Sequence, residues 1–266
     1  LPAMSSNVNS VQNTLKVALG LCVVCSIVIS TAAVVLKPMQ TANQILDRNK
    51  NILIAAGLFD PATNTNADVS AMFAEFTPKM VDLDAGRYLT ADEMQQLGLN
   101  PETYDQKRAR NDPALSDALS GDDDVASIRR RPRYATVYVI ENASGEYESL
   151  VIPVNGYGLW GIMYGYLALE SDANTVRGIG FYEHQETPGL GGEISNPRWQ
   201  AQWPGKQVYD DSGDVAFSVV KGGGAGTNQV DALSGATLTS RGIENMIEFW
   251  LGERGFGPFL RNEVQG

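Results

Sequence analysis

The chain has 266 residues, 43% of them hydrophobic, with 31 Asp and Glu against 20 Lys and Arg for a formal net charge of -11. That composition supports one substantial domain with a short appendage and excludes a disordered chain, while the acidic balance argues against a nucleic-acid-binding surface. The two cysteines, Cys22 and Cys25, both fall in the apolar N-terminal segment, so no disulfide framework holds the main body together.

Taken in order, residues 1–3 read as an expression remnant ahead of a native start at Met4, within a polar tail over residues 1–16. No charge interrupts residues 17–36 between Lys16 and Lys37, and a run of that length crosses the hydrocarbon core of a bilayer as a helix. The rival reading is a cleavable signal peptide with Thr31-Ala32-Ala33 as its small-residue site. The lysines on either side do not fix an orientation. Cys22 and Cys25 share one face of this helix. Ionising them or binding metal in an apolar medium is costly, so they read as packing residues unless a partner supplies further thiolates. Beyond Pro38, Ala42, Ile45, Leu46, Ile52, Leu53 and Ala56 keep helical spacing, which predicts a stalk helix over 37–57.

The body, 58–266, opens with short helices expected over 69–76, 91–97 and 101–110, and a strand near 80–83. Asp122, Asp123 and Asp124 lack the alternating pattern of a calcium loop and read as a solvated turn. The basic run Arg129, Arg130, Arg131 and Arg133 reads as a solvated approach to a strand. Runs rich in β-branched and aromatic residues then predict antiparallel strands over 134–140, 147–154, 159–169 and 176–182, with turns at 142–145 and 171–174. A final amphipathic helix follows Ser240 and runs through Leu251, burying Ile243, Met246, Ile247 and Trp250 against the sheet in an α+β fold.

Two stretches carry chemistry. Ser234, Thr237, Thr239 and Ser240 cluster where the last helix begins, so hydroxyls, free N–H groups and the helix dipole together make an anion site suited to phosphate. The plainer reading is a Ser/Thr-capped helix with a glycine turn. The second stretch, His184-Gln185-Glu186-Thr187-Pro188-Gly189-Leu190-Gly191, is a tight loop in which Glu186 and Thr187 can bond a polar ligand. His184, the one histidine, has no ligand partner at suitable spacing and reads as structural. Trp160, flanked by Gly158 and Gly161, is either a core anchor or a stacking platform. The segment from Lys221 to Thr227 lacks the spacing of a phosphate loop and reads as a mobile turn that brings Lys221 near the helix start. No catalytic triad and no metal-ligand set emerge.

Ser234-Gly235-Ala236-Thr237-Leu238-Thr239 resembles the flavinylation motif of the FMN-binding domain family, and the loop from His184 to Gly191 resembles that family's second hallmark. The resemblance implies FMN bound covalently by a phosphoester to Thr237, with Ser234, Gly235, Ala236 and Thr239 around the attachment point. It further implies Trp160 and Leu190 against the ring and Glu186 and Thr187 at its polar edges or phosphate arm, while the turn from Lys221 offers Lys221 as a positive neighbour for flavin or phosphate. The implied role is an electron-carrier subunit of a membrane-bound, Na+-pumping NADH:quinone oxidoreductase. Its setting would be the bacterial inner membrane, with lipid around the anchor and the domain on the periplasmic side. The partners would be a flavin-bearing and an iron-sulfur-bearing subunit, with a separate flavin transferase acting during maturation. The alternatives are the related Rnf ferredoxin:NAD+ complex, an anchored binding or scaffold module without a redox role, and a self-contained flavin reductase.

Overall fold

Helix α1 (Val11–Ala55) is 45 residues long and carries Pro38 inside it. The expected anchor and stalk are therefore one continuous helix, although proline lacks the N–H that would bond one turn back. Thr41 Oγ1 donates to Lys37 O at 3.0 Å beside that point. Among the described residues α1 is the one helix long and apolar enough to cross a membrane, with a mean hydropathy of 2.6 over its most apolar window. In this computed structural model the described residues are 11–142, 144 and 147–264; the expected remnant, the Met4 start, residues 4–10 of the tail and parts of the 142–145 turn lie outside them. The chain falls into two units, Leu1–Leu46 and Asp47–Gly266.

In the second unit, the end of α1 is followed by α2 (Val69–Phe73), β1 (Thr77–Asp82), β2 (Arg87–Tyr88), α3 (Ala91–Leu97) and α4 (Gln106–Arg110). Next come β3 (Ser116–Ala118), β4 (Arg130–Pro132), β5 (Tyr134–Glu141), β6 (Tyr147–Tyr157), β7 (Ile162–Glu170) and β8 (Val176–Glu183). The chain finishes with α5 (Pro197–Gln200), β9 (Ser218–Val220), β10 (Gln229–Asp231), α6 (Thr237–Leu251) and α7 (Gly257–Phe259). Six strands form an antiparallel sheet in the order β2-β1-β5-β6-β7-β8. β3 pairs with β4 antiparallel, and β9 with β10 parallel.

Both faces of the large sheet are covered, and period-two alternation sorts the side chains. One face sends Val137, Val139, Leu150, Ile152 and Val154 into a core with Ile243, Met246, Ile247 and Trp250 of α6. The other carries a row of aromatic contacts, with Phe73 against Tyr138 at 5.7 Å, Tyr138 against Tyr166 at 6.1 Å and Tyr166 against Tyr182 at 5.3 Å. Burial drives the Tyr166 hydroxyl well above its ordinary pKa, so it stays neutral there. On this side Gly178 and Gly180 let the last turns of α1 lie against β8, where side chains would meet the carbonyls of Ala55 and Asn51.

Close approach also seats α6. A Cβ on Gly156 of β6 would stand 2.7 Å from Met246 Cβ, and one on Gly242 of α6 would run into the Tyr157 carbonyl. Trp250 Nε1 donates to Asn155 O at 2.7 Å and Tyr209 Oη to Leu251 O at 2.7 Å, which fixes the last turn of the helix. These contacts hold the first turn of α6 next to the turn that leaves β6.

The basic run departs from its expected exposure. Arg130 and Arg131 lie within β4, and Arg131 is buried, donating through Nη1 to Arg254 O at 2.8 Å and through Nη2 to Asp84. Asp117, on the partner strand, takes Arg133 at 2.7 Å, and that guanidinium holds its carboxyl below the usual range. The final helix starts at Thr237, earlier than expected, and the strand expected from 159 starts at Ile162.

Candidate cofactor site

The turn at 158–161 closes with Gly158 N donating to Gly161 O at 2.8 Å, which is why β7 begins late. This turn presents Trp160 outward, 61% exposed, with its Nε1 donating to Thr187 Oγ1 at 3.1 Å. Thr187 belongs to the loop after β8, and its carbonyl receives the N–H groups of Leu190 and Gly192 at 3.1 and 2.9 Å. Leu190 is 45% exposed and its Cδ2 would stand 3.1 Å from a Cβ on Gly235, whose φ of +72° already favours glycine. Trp160, Thr187, Leu190 and Gly235 are thus brought together at one surface.

Glu186 sits beneath that surface, buried at 5% exposure. Its Oε1 accepts from the backbone N–H of Leu159 at 2.9 Å and of Trp160 at 3.0 Å, and its Oε2 accepts from Thr239 Oγ1 at 2.5 Å. Side chains on Gly158 or Gly191 would collide with these oxygens. Both oxygens expected to face a ligand are occupied inside the protein, and so is the Thr239 hydroxyl. His184 is structural: its Nε2 lies 3.0 Å from Ser195 Oγ, and its Nδ1 accepts from Glu186 N at 3.3 Å.

The start of α6 has no side-chain cap. Its N-cap position is Ala236, whose methyl belongs to the core cluster, so packing has taken the place where a capping hydroxyl would stand. Ser240 Oγ is turned back to accept from Leu233 N at 3.0 Å. Ser234, Gly235, Thr237 and Leu238 remain exposed. Thr237 therefore presents its hydroxyl beside uncapped N–H groups at the positive end of a 15-residue helix.

Thr237 also lines a cleft with Val219, Lys221, Ala232, Ser240, Arg241 and Glu244. Lys221 thus stands beside Thr237, and the turn that carries it, expected to be mobile, is pinned. Gly223 and Gly224 donate to Asp231 Oδ1 at 2.6 and 2.7 Å, bonds that hold that carboxyl below its usual range, and Lys206 Nζ reaches Gly224 O and Gly226 O at 3.0 and 2.8 Å. Arg241 was not anticipated. Its signal was present all the same, because four residues after Thr237 on a helix is the same face one turn on.

The donor set suits a phosphate at Thr237, with N–H groups, a hydroxyl and two cations, while the Trp160 face and Leu190 offer apolar area to a planar ring. Among the described residues no group of three or more His, Cys, Asp or Glu side chains could hold a metal ion.

Residues 158–252 match the FMN-binding domain family, a span containing every residue of the site just described. The chain is similar to the C subunit of the Na(+)-translocating NADH-quinone reductase of Pseudomonas aeruginosa, 48% identical over 267 residues covering 98% of this chain and 99% of the relative. It is 44% identical to the protein of the same name from Vibrio alginolyticus, over 99% of both chains. Its fold is similar to the crystal structure of Shewanella oneidensis NqrC, with a TM-score of 0.73 at 35% identity, covering 83% of this chain and 97% of that one.

Proposed function

Because the chain belongs to the family of Na(+)-translocating NADH-quinone reductase C subunits, we propose that it is an electron-carrier subunit of such a complex and carries FMN on Thr237 through a phosphoester. The observation that supports this most is the start of α6, where an exposed threonine stands at an uncapped helix N-terminus in a cleft shared with Lys221 and Arg241. When bound, FMN supplies the ability to take up and release electrons one or two at a time. The chain's own residues hold and orient it. Lys221, Arg241 and the first N–H groups of α6 would hold the phosphate, and Trp160 and Leu190 would offer the ring an apolar surface.

Attachment forms a bond from Thr237 Oγ1 to phosphorus and breaks the phosphoanhydride of FAD. AMP leaves, the hydroxyl proton is lost, and a separate flavin transferase catalyses the exchange. A covalent tether removes the need for a closed pocket, which fits a site whose ring-facing side chains are exposed. The relatives' names place them in a quinone reductase, and for this chain we infer electron entry from an iron-sulfur-bearing subunit and exit to a flavin-bearing one. The same reading makes α1 a single-pass anchor in the inner membrane and places the body on the periplasmic side.

The test is the intact mass and in-gel flavin fluorescence of the full chain, produced with its transferase and purified in mild detergent. The native chain carries one covalent FMN, and Thr237→Ala carries none while keeping its thermal stability. A native chain of bare polypeptide mass overturns the proposal.

A further inference from the structure

Glu186 is a buried carboxylate without a cation. None of the ion pairs among the described residues involves it, and its three donors are two backbone amides and one hydroxyl, all neutral. Glycine at 158 and 191 keeps the surrounding backbone so close that no larger residue fits. Burying an unpaired charge is costly. A glutamine of the same shape would accept the same two amide hydrogens and could donate to the Thr239 hydroxyl, so holding the three segments together does not in itself call for a charge.

Its position gives the charge a use. Glu186 is one hydrogen bond from Thr239, two residues beyond Thr237, and one hydrogen bond from the backbone of Trp160. Any group anchored at Thr237 and resting on Trp160 lies within the field of this carboxylate, which is itself buried although the surface above it is open. A fixed negative charge opposes the arrival of electrons at its neighbour.

We infer that Glu186 is a positioning residue that acts on the flavin from behind: it clamps the Trp160 turn to the first turn of α6, and its uncompensated charge lowers the flavin's midpoint potential. This rests on the proposed attachment at Thr237. It differs from the expected role of Glu186 as a direct polar contact, because both oxygens are turned into the protein.

The experiment compares the wild-type full chain with Glu186→Gln and Thr239→Val, each loaded with flavin in detergent, by redox titration of the flavin absorbance and by the Trp160 contribution to emission before loading, taken as the difference between each chain and its Trp160→Phe counterpart. Glu186→Gln keeps the shape and removes the charge, so the midpoint potential rises while that difference stays as in wild type. Thr239→Val keeps the charge and removes one donor, so the potential stays at or below the wild-type value. An unmoved potential in loaded Glu186→Gln overturns the inference, as does a rise in both variants, which marks simple loosening. Should Glu186→Gln fail to fold or load, Thr239→Val carries the test alone, and a rise there overturns it. A wild-type chain without flavin removes the attachment itself and this role with it, whereas a loaded wild type with an unshifted Glu186→Gln removes this role alone.

Discussion

Helix α3 begins at Thr90 with a complete capping box: Glu93 N donates to Thr90 Oγ1 at 3.3 Å, and Thr90 N donates to Glu93 Oε2 at 2.9 Å. It ends on Gly98 with a left-handed φ of +65°. Helix α6 begins in a stretch far richer in hydroxyls and uses none of them as a cap, since Ala236 is packed in the core, Thr239 is turned to Glu186 and Ser240 to Leu233 N. The seven-residue helix thus completes its own end, while the 15-residue one leaves its end open and is held instead by its buried face. The sharper local signal marks the structural helix, and the open end marks the candidate site.

The largest expected effect tests how α6 is held. Gly242 packs against the Tyr157 carbonyl with no room for a side chain, so Gly242→Val must displace backbone and costs about 3 kcal/mol. Gly98→Ala at the end of α3 meets open space and carries only the left-handed backbone penalty, about 1 kcal/mol. Thermal unfolding of the full chain in detergent, followed by tryptophan emission, measures both. If Gly98→Ala proves the more costly, packing is not what secures α6.

A smaller effect tests how α3 is held. Thr90→Ala removes the hydroxyl that caps Glu93 N and costs about 1 kcal/mol, with flavin loading at Thr237 unchanged. The same unfolding measurement, with intact mass for the loading, checks it. A variant that keeps wild-type stability would mean that α3 is secured elsewhere, and the two helix starts would then not differ in kind.

Much of the large sheet was legible in the sequence, whereas the contrast between the two helix starts was not. Long runs rich in β-branched and aromatic residues gave β5 to β8, because strands covered on both faces are apolar nearly throughout their length. The short strands β2, β3, β4, β9 and β10 were not read, since two or three residues cannot display a period. The burial of Arg131 depends on Asp84 and on the Arg254 carbonyl, 47 and 123 positions away, and no local pattern announces it. At the site, of the residues named from the sequence, Trp160 bonds Thr187, Leu190 lies against Gly235, and Thr237 and Lys221 line one cleft. What the motifs could not show is direction. Glu186 and Thr239 look like outward donors and acceptors until the fold turns them toward each other, and Gly158 and Gly191 look like turn residues until the oxygens between them are seen.

The smallest effect concerns acid. The Arg87 guanidinium, at 2.7 Å, and the Thr90 amide and hydroxyl hold the Glu93 carboxyl down to about 2, against an ordinary value of 4.5. A carboxyl depressed in the folded state contributes stability that is complete above its unfolded value and is lost as pH falls through the folded one. The advantage of wild type over Glu93→Gln should therefore be constant from neutral pH to about pH 5 and shrink between about 4.5 and 2. Because the pair is partly exposed, salt screens it, and the advantage should also narrow at high ionic strength. Unfolding midpoints of the two chains against pH, at low and high salt, decide the matter. α6 has no such carboxyl in its first turn, so the same scan on Thr237→Ala should run parallel to wild type, and a divergence in the acid range would show that its open end titrates after all.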